Sequence, residues 1–215
     1  MIYLYSGTPG SGKSLHTARV IKNTLMMNKP VLANIPINTG LCKHPERFLY
    51  IPDVMLKPSA LVEYSKQHFK DRPVKEGEIL LIVDEAQRMF NARDWSKSDR
   101  AGWNEFFQLH RHYGYDIILV AQFDRMLDRQ VRSVIEYEQI HRKVSNYGWR
   151  GWLLCAMMAS PCLFVAVKMW YPMKERVSSE FFRYSRKLGR LYDTYMTFPA
   201  VSEKESAWDE SLLLT

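Results

Sequence analysis

The chain has 215 residues, of which 47% are hydrophobic and 25% charged, the profile of an ordinary globular chain with enough apolar material for a core: one domain, or one domain with an appendage. Its three cysteines, Cys42, Cys155 and Cys162, form no C-x-x-C pair and leave an odd count, which argues against a disulfide framework and for a reducing compartment. The net charge of +7 is uneven: residues 125–190 hold 13 Lys/Arg against 5 Asp/Glu, while the remainder is nearly balanced, so the excess suits nucleic acid, an anionic membrane surface, or simply a solvated basic face.

A short apolar run, Ile2-Tyr3-Leu4-Tyr5, reads as a strand and leads into Gly7-Thr8-Pro9-Gly10-Ser11-Gly12-Lys13-Ser14, followed by a helix-competent stretch over residues 15–28. The spacing G-x-x-x-x-G-K-S between a strand and a helix is the P-loop pattern. Gly7, Gly10 and Gly12 permit backbone angles that let successive N–H groups turn inward around a phosphate, and the helix that follows aims its positive end at the same anion. Residues 7–15, through Leu15, are therefore the candidate nucleotide contacts. Lys13 is expected to reach the β- and γ-phosphates of ATP, and the Ser14 hydroxyl to take a Mg²⁺ position. With the phosphate loop starting almost at once, no N-terminal signal is expected.

Residues 30–35, closed by Pro36, read as a second strand, and residues 48–51 as a third. Residues 58–70 read as a helix with Pro58 in its first turn and Leu61, Val62, Tyr64 and Phe69 as candidates for burial. Residues 71–78 carry Pro73 and Gly77 and read as a loop. Then come five apolar residues in a row, Ile79-Leu80-Leu81-Ile82-Val83, which is what a strand buried on both faces of a parallel sheet shows. It delivers Asp84 and Glu85 to the sheet's carboxyl edge. Asp84 is the candidate partner of Ser14 at Mg²⁺, and Glu85 is placed to orient and polarise the attacking water.

Residues 103–113 read as a helix with Trp103, Phe106, Phe107 and Leu109 in the core, stopped by Gly114. Residues 116–122 form another apolar strand ending in Gln122, either a γ-phosphate sensor or an ordinary strand-end glutamine. The helix–strand alternation predicts an α/β fold: a P-loop NTPase sandwich with a mostly parallel central sheet. We expect the strand before Gln122 to insert between the strands that end at Ser6 and Asp84, the additional-strand arrangement that accompanies a catalytic glutamate.

Residues 125–144 are basic and partly helical, with a strand around residues 134–140. Residues 151–167 carry no charge, but Ser160-Pro161 divides them. A membrane span usually needs about 20 apolar residues, so a short helix followed by a strand to Tyr171 is at least as good a reading. The domain division is then 1–145 for the NTPase core, 146–200 for a basic, partly hydrophobic extension of the same domain, and 201–215 for a flexible tail made acidic by Glu203, Glu205, Asp209 and Glu210.

At Asp84-Glu85-Ala86-Gln87-Arg88, and at His110-Arg111-His112-Tyr113-Gly114-Tyr115-Asp116 with its following strand, the chain resembles the zonular occludens toxin (Zot) family, which includes the assembly NTPase of filamentous phages. The likeness runs from residue 1 to about 198 and takes in the P-loop and Tyr192-Asp193-Thr194. It implies an ATP-dependent motor at the cytoplasmic face of the inner membrane that drives assembly and extrusion of phage particles, with phage DNA or coat proteins as cargo. By motif match, Gly12, Lys13 and Ser14 would bind phosphate and metal, and Asp84 and Glu85 would do the metal and water chemistry. Members often carry a membrane span and an outer domain after the NTPase; this chain, ending at Thr215, is expected to lack them and any toxin activity that belongs there.

Three rivals stand beside that reading. A thymidine kinase also pairs a P-loop with Asp-Glu-Ala-Gln but usually carries a Cys-rich zinc lasso. A GTPase is disfavoured because Asn28-Lys29-Pro30-Val31 lacks the aspartate that reads guanine. A nucleotide-dependent scaffold would bind ATP, oligomerise and hydrolyse slowly. If the motor is a homo-oligomeric ring, an arginine from a neighbour completes the site; Arg111 is the first candidate, ahead of Arg93 and Arg129. His110 and His112, two apart, would fall on different faces of a helix and make poor metal ligands.

Overall fold

Short apolar runs separated by helices assemble into one sheet. The structure is a computed structural model that describes residues 1–91, 97–157 and 162–192. Its strands are β1 (Ile2–Ser6), β2 (Val31–Ala33), β3 (Phe48–Tyr50), β4 (Ile79–Val83), β5 (Tyr115–Val120), β6 (Tyr137–Lys143), β7 (Leu163–Trp170) and β8 (Glu175–Arg183). The helices are α1 (Lys13–Met26), α2 (Pro58–His68), α3 (Lys97–Leu109), α4 (Arg129–Ser133), α5 (Gly148–Met157) and α6 (Arg186–Leu191). Among the described residues the strands form an eight-stranded sheet in the order β3-β2-β4-β5-β1-β6-β7-β8. Every pairing from β3 to β6 is parallel, and β7 and β8 add antiparallel at one side.

β5 lies between β4 and β1, as its apolar character predicts. Leu119 sits beside Leu4 on one flank and Val83 on the other, so the carboxyl ends of all three strands reach one edge. The uninterrupted apolar run of β4 has the expected cause. Ile79, Leu81 and Val83 face a core closed by α2 and α3, whereas Leu80 and Ile82 face the other side, where α1 supplies Ile21 and Leu25. The first face is the richer in aromatics: Phe90, Trp103, Phe106 and Phe107 pack edge-on or tilted with centroids 5.0 to 6.1 Å apart. Leu109, expected in that core, is only half-buried, and His110 takes the buried position beside it.

Several boundaries differ from the sequence reading. α3 begins six residues before Trp103 and ends at Leu109, because residues 111–114 close a turn in which the Gly114 N–H donates to the Arg111 carbonyl. The strand expected around residues 134–140 is β6, three residues later; the short helix α4 occupies the chain first, capped by Asp128, whose carboxylate accepts the Gln130 N–H at 2.7 Å. The apolar stretch resolves into α5 followed by β7, the helix-then-strand alternative. No helix among the described residues is long and apolar enough to cross a membrane. β8 and α6 went unread, since β8 is an edge strand with Phe182 as its one buried residue and shows no apolar alternation. The acidic tail expected over residues 201–215 lies outside the described residues.

Candidate nucleotide-binding site

The P-loop turns off the end of β1 into α1 and is fixed at both ends. The Gly7 N–H donates to the Gln122 carbonyl at 3.1 Å, and within the loop the Ser11 N–H donates to the Thr8 carbonyl at 3.1 Å. Gly12 has φ +97, and a Cβ there would come within 2.7 Å of the Phe164 ring on β7, so only glycine fits between that ring and the start of α1. On the other side a Cβ at Gly7 would meet the His141 carbonyl oxygen at 2.5 Å. No side chain caps the first turn of α1 and no acidic residue sits in it, leaving its N–H groups for an anion. The Ser11 hydroxyl, buried, has no hydrogen-bond partner among the described residues. Lys13 folds back over its own loop, its ammonium donating to the Gly7 carbonyl at 2.5 Å and the Thr8 carbonyl at 3.3 Å. Burial pulls its pKa down, opposed by the nearby charges of Glu85 and Asp84.

Asp84 and Glu85 follow β4 at the same edge. Burial raises the Asp84 carboxyl above the usual range, and the neighbouring Glu85 charge adds to the rise; hydrogen bonds from Tyr192 and from the backbone at Glu85 oppose it. Glu85 takes a left-handed backbone, φ +45, which a non-glycine residue holds only at a cost, and its carboxylate accepts from the Gln87 amide. Two residues to which the sequence reading gives no role at the site organise this end of β4. Asn34, just past β2, clamps the Asp84 backbone: its side-chain oxygen accepts the Asp84 N–H at 2.6 Å, its amide donates to the Asp84 carbonyl at 3.0 Å, and it also donates to Asp53 at 2.7 Å. Tyr192, read only as part of a family motif, donates its hydroxyl to Asp84 Oδ2 at 2.7 Å, with the Ser14 side chain beside it. A polar residue following a core strand is the signal that could have flagged Asn34; nothing local flags Tyr192.

Two buried histidines tie the loop to β6. The His141 Nδ1–H donates to the Ser6 carbonyl at 3.2 Å, so its Nε2 carries the lone pair and accepts from His16 Nδ1 at 2.8 Å. Burial holds both imidazoles neutral, with pKa values lowered to about 4 for His141 and about 3 for His16, where the facing imidazole and Arg19 add to the effect. Beside them the Ser6 hydroxyl donates to the buried Glu138 at 2.7 Å. An open pocket of about 510 Å³ lies here, lined by Gly7, Thr8, Gln122, Glu138 and His141 among others.

Lys13, Ser14, Asp84, Glu85 and Gln122 are thus drawn to one sheet edge. Arg111 is not: it precedes β5 at the opposite edge, exposed, and pairs with Glu136 at 2.9 Å. Arg129 is exposed at the start of α4, and Arg93 lies outside the described residues. His110 is buried, with Nδ1 on the Phe107 carbonyl at 2.7 Å, whereas His112 is exposed, so the two do not converge.

The donor set and the cradle fit a nucleotide phosphate with a divalent cation: uncapped helix N–H groups, a buried orphan hydroxyl, a lysine, and a serine and an aspartate that meet on one hydroxyl.

Comparison with known proteins bears on the fold and the family. The fold is shared with the N-terminal domain of zonular occludens toxin from Neisseria meningitidis (TM-score 0.53, 21% identity, covering 89% of this chain and 98% of that one). It is shared too with the genome packaging NTPase B204 of Sulfolobus turreted icosahedral virus 2, solved in complex with ATP-gammaS (TM-score 0.51, 16% identity, covering 85% and 96%). In sequence, the chain is 27% identical over 139 residues to the Gene 1 protein of Enterobacteria phage fd (62% of this chain, 39% of that protein). It is 29% identical over 139 residues to ORF301, a proposed assembly protein of Pseudomonas phage Pf3 (63% and 40%). The chain therefore spans about two fifths of the length of these phage relatives. The profile of the Zonular occludens toxin (Zot) family matches residues 1–176. The chain belongs to the zonular occludens toxin family.

Proposed function

We propose that the chain is an ATP-hydrolysing motor subunit for the assembly and extrusion of filamentous phage. The observation that carries the reading is the convergence of the P-loop, Lys13 and the Asp84-Glu85 pair on one sheet edge, around a helix terminus that nothing else caps. Phage relatives and a packaging NTPase of the same fold support the biological setting.

In this reading the N–H groups of residues 10–15 and the Lys13 ammonium, released from its own loop carbonyls, hold the phosphates of ATP. Ser14 and Asp84 would hold Mg²⁺, which supplies charge neutralisation and orientation of the phosphates when bound. Glu85 accepts a proton from, and orients, the attacking water. Gln122, whose carbonyl already anchors Gly7, lies where its side chain can answer to the γ-phosphate. The subunits act as a homo-oligomer, a ring in our reading. Arg111 serves as a neighbour's finger only if it leaves Glu136. The basic excess of residues 125–190 supports an anionic partner, phage DNA or the inner face of the cell membrane, with coat proteins as the other cargo.

The test is phosphate release from ATP, with and without single-stranded DNA and anionic liposomes, beside two variants. Lys13→Ala should lose nucleotide binding, and Glu85→Gln should bind ATP normally with turnover down about 100-fold or more. Binding unchanged in Lys13→Ala sinks the P-loop assignment. Tight binding without turnover in the parent chain under every condition would favour a nucleotide-dependent scaffold.

A further inference from the structure

α6 packs against α1, and the residue that follows it, Tyr192, reaches the site. Its last residue, Leu191, is fully buried, and the Leu191 carbonyl accepts the Asn38 N–H at 3.0 Å from the loop after β2. That anchor sets Tyr192 into the core on the α1 face of the sheet, where its ring packs in the cluster that includes Ile21 and Leu25. At the end of that ring the hydroxyl meets Asp84 Oδ2 at 2.7 Å and the Ser14 side chain. These are the two side chains assigned above as the cation's ligands, and they come from the P-loop helix and from β4. One hydroxyl joins them.

We propose that Tyr192 is a latch on the metal position: its hydroxyl holds the place between Ser14 and Asp84 that a divalent cation must claim, so that binding of metal and nucleotide releases Tyr192 and loosens α6 from α1. The proposal rests on the assignment of Ser14 and Asp84 as cation ligands. Asp84 Oδ2 now accepts from the phenol, beside the Ser14 side chain, and must give up that bond to face a cation. Because α6 is short and Tyr192 follows it directly, losing the bond to Asp84 loosens its end.

The experiment compares the full chain with Tyr192→Phe, which keeps the ring in its cluster and removes the hydroxyl. ATPγS affinity is measured in Mg²⁺ and in EDTA, and amide hydrogen exchange is followed over residues 186–192. The latch predicts that Tyr192→Phe binds ATPγS about 2- to 10-fold tighter in Mg²⁺, the worth of one hydrogen bond, with affinity in EDTA unchanged. It predicts too that Mg²⁺ and ATPγS together, but not ATPγS in EDTA, raise exchange in α6 of the parent chain. Weaker Mg²⁺-dependent binding in Tyr192→Phe, or α6 exchange indifferent to Mg²⁺, would overturn the latch while leaving the P-loop reading intact. Binding that survives Lys13→Ala, or that ignores Mg²⁺ in the parent chain, would overturn the site assignment and the latch with it.

Discussion

The His16–His141 pair shows what a single buried contact does to the behaviour of this chain. Each imidazole is neutral in the fold, and the pair has one hydrogen to share between its facing nitrogens. Protonating His141 would set its Nε2–H against the His16 Nδ1–H, and protonating His16 would put a charge on a ring buried against that neighbour. The folded pKa values, about 3 and about 4, lie below the unfolded value near 6.5. For groups lowered this way, stability is fully present above the unfolded pKa and falls as pH drops through it, because the unfolded chain takes up protons the native pair refuses. Between pH 7 and pH 5 the two groups together should remove about 2 to 4 kcal/mol. Urea unfolding at the two pH values measures this, and His141→Asn should be less stable at pH 7 but show a shallower pH slope. An equal slope in the variant would mean that other groups govern the acid limb. Glu180, 3.9 Å from His16 Nε2 but half-exposed and held by Arg19 at 2.8 Å, does not rescue the charged form.

Among the elements, the β7–β8 hairpin lies in the stretch read as an extension of the NTPase domain, and its packing reaches the P-loop. β7 pairs with β6 along its whole length, and its residues alternate between two packings. Leu163 and Val165 pack with Cys155 of α5, while Phe164 and Ala166 pack with Leu15 and Phe182 on the P-loop side. The ring that closes on Gly12 therefore comes from outside the motif. A chain cut after residue 145 would leave β6 as a bare edge and Gly12 without its wall. Such a fragment should fail to fold cooperatively and should not bind ATPγS, as circular-dichroism melts and binding titrations would show. A fragment with a sharp transition and parent-like affinity would make residues 1–145 an autonomous core. Local patterns announced some of these elements and not others. β4 was legible because burial on both faces demands five apolar residues in a row, whereas β8 sits at the sheet's edge with solvent on most of its length and is under no such demand.

Taken as a whole, the molecule places its site by strand order. β5 between β1 and β4 separates the strand that launches the P-loop from the strand that delivers Asp84 and Glu85 by one strand's width, and parallel pairing brings all three carboxyl ends to one edge. α1 occupies one face of the sheet beside the site, and α6 packs against it. The opposite edge carries Arg111, paired with Glu136, away from the proposed chemistry.

What the sequence determined by itself was whatever is written within a few residues: the phosphate loop at residues 7–14, the double-sided burial of β4, the carboxylates that end it, and through their order the fold class. Those signals are local because each meets a local requirement, a backbone turn that only glycine tolerates or a strand buried on both faces. Only the tertiary structure decided which distant groups complete the site. Asn34 reaches Asp84 across 50 residues and Tyr192 across 108, and Phe164 reaches Gly12 from beyond β6. Such contacts leave no period or spacing in the chain, because they exist only once the strands have taken their order in the sheet.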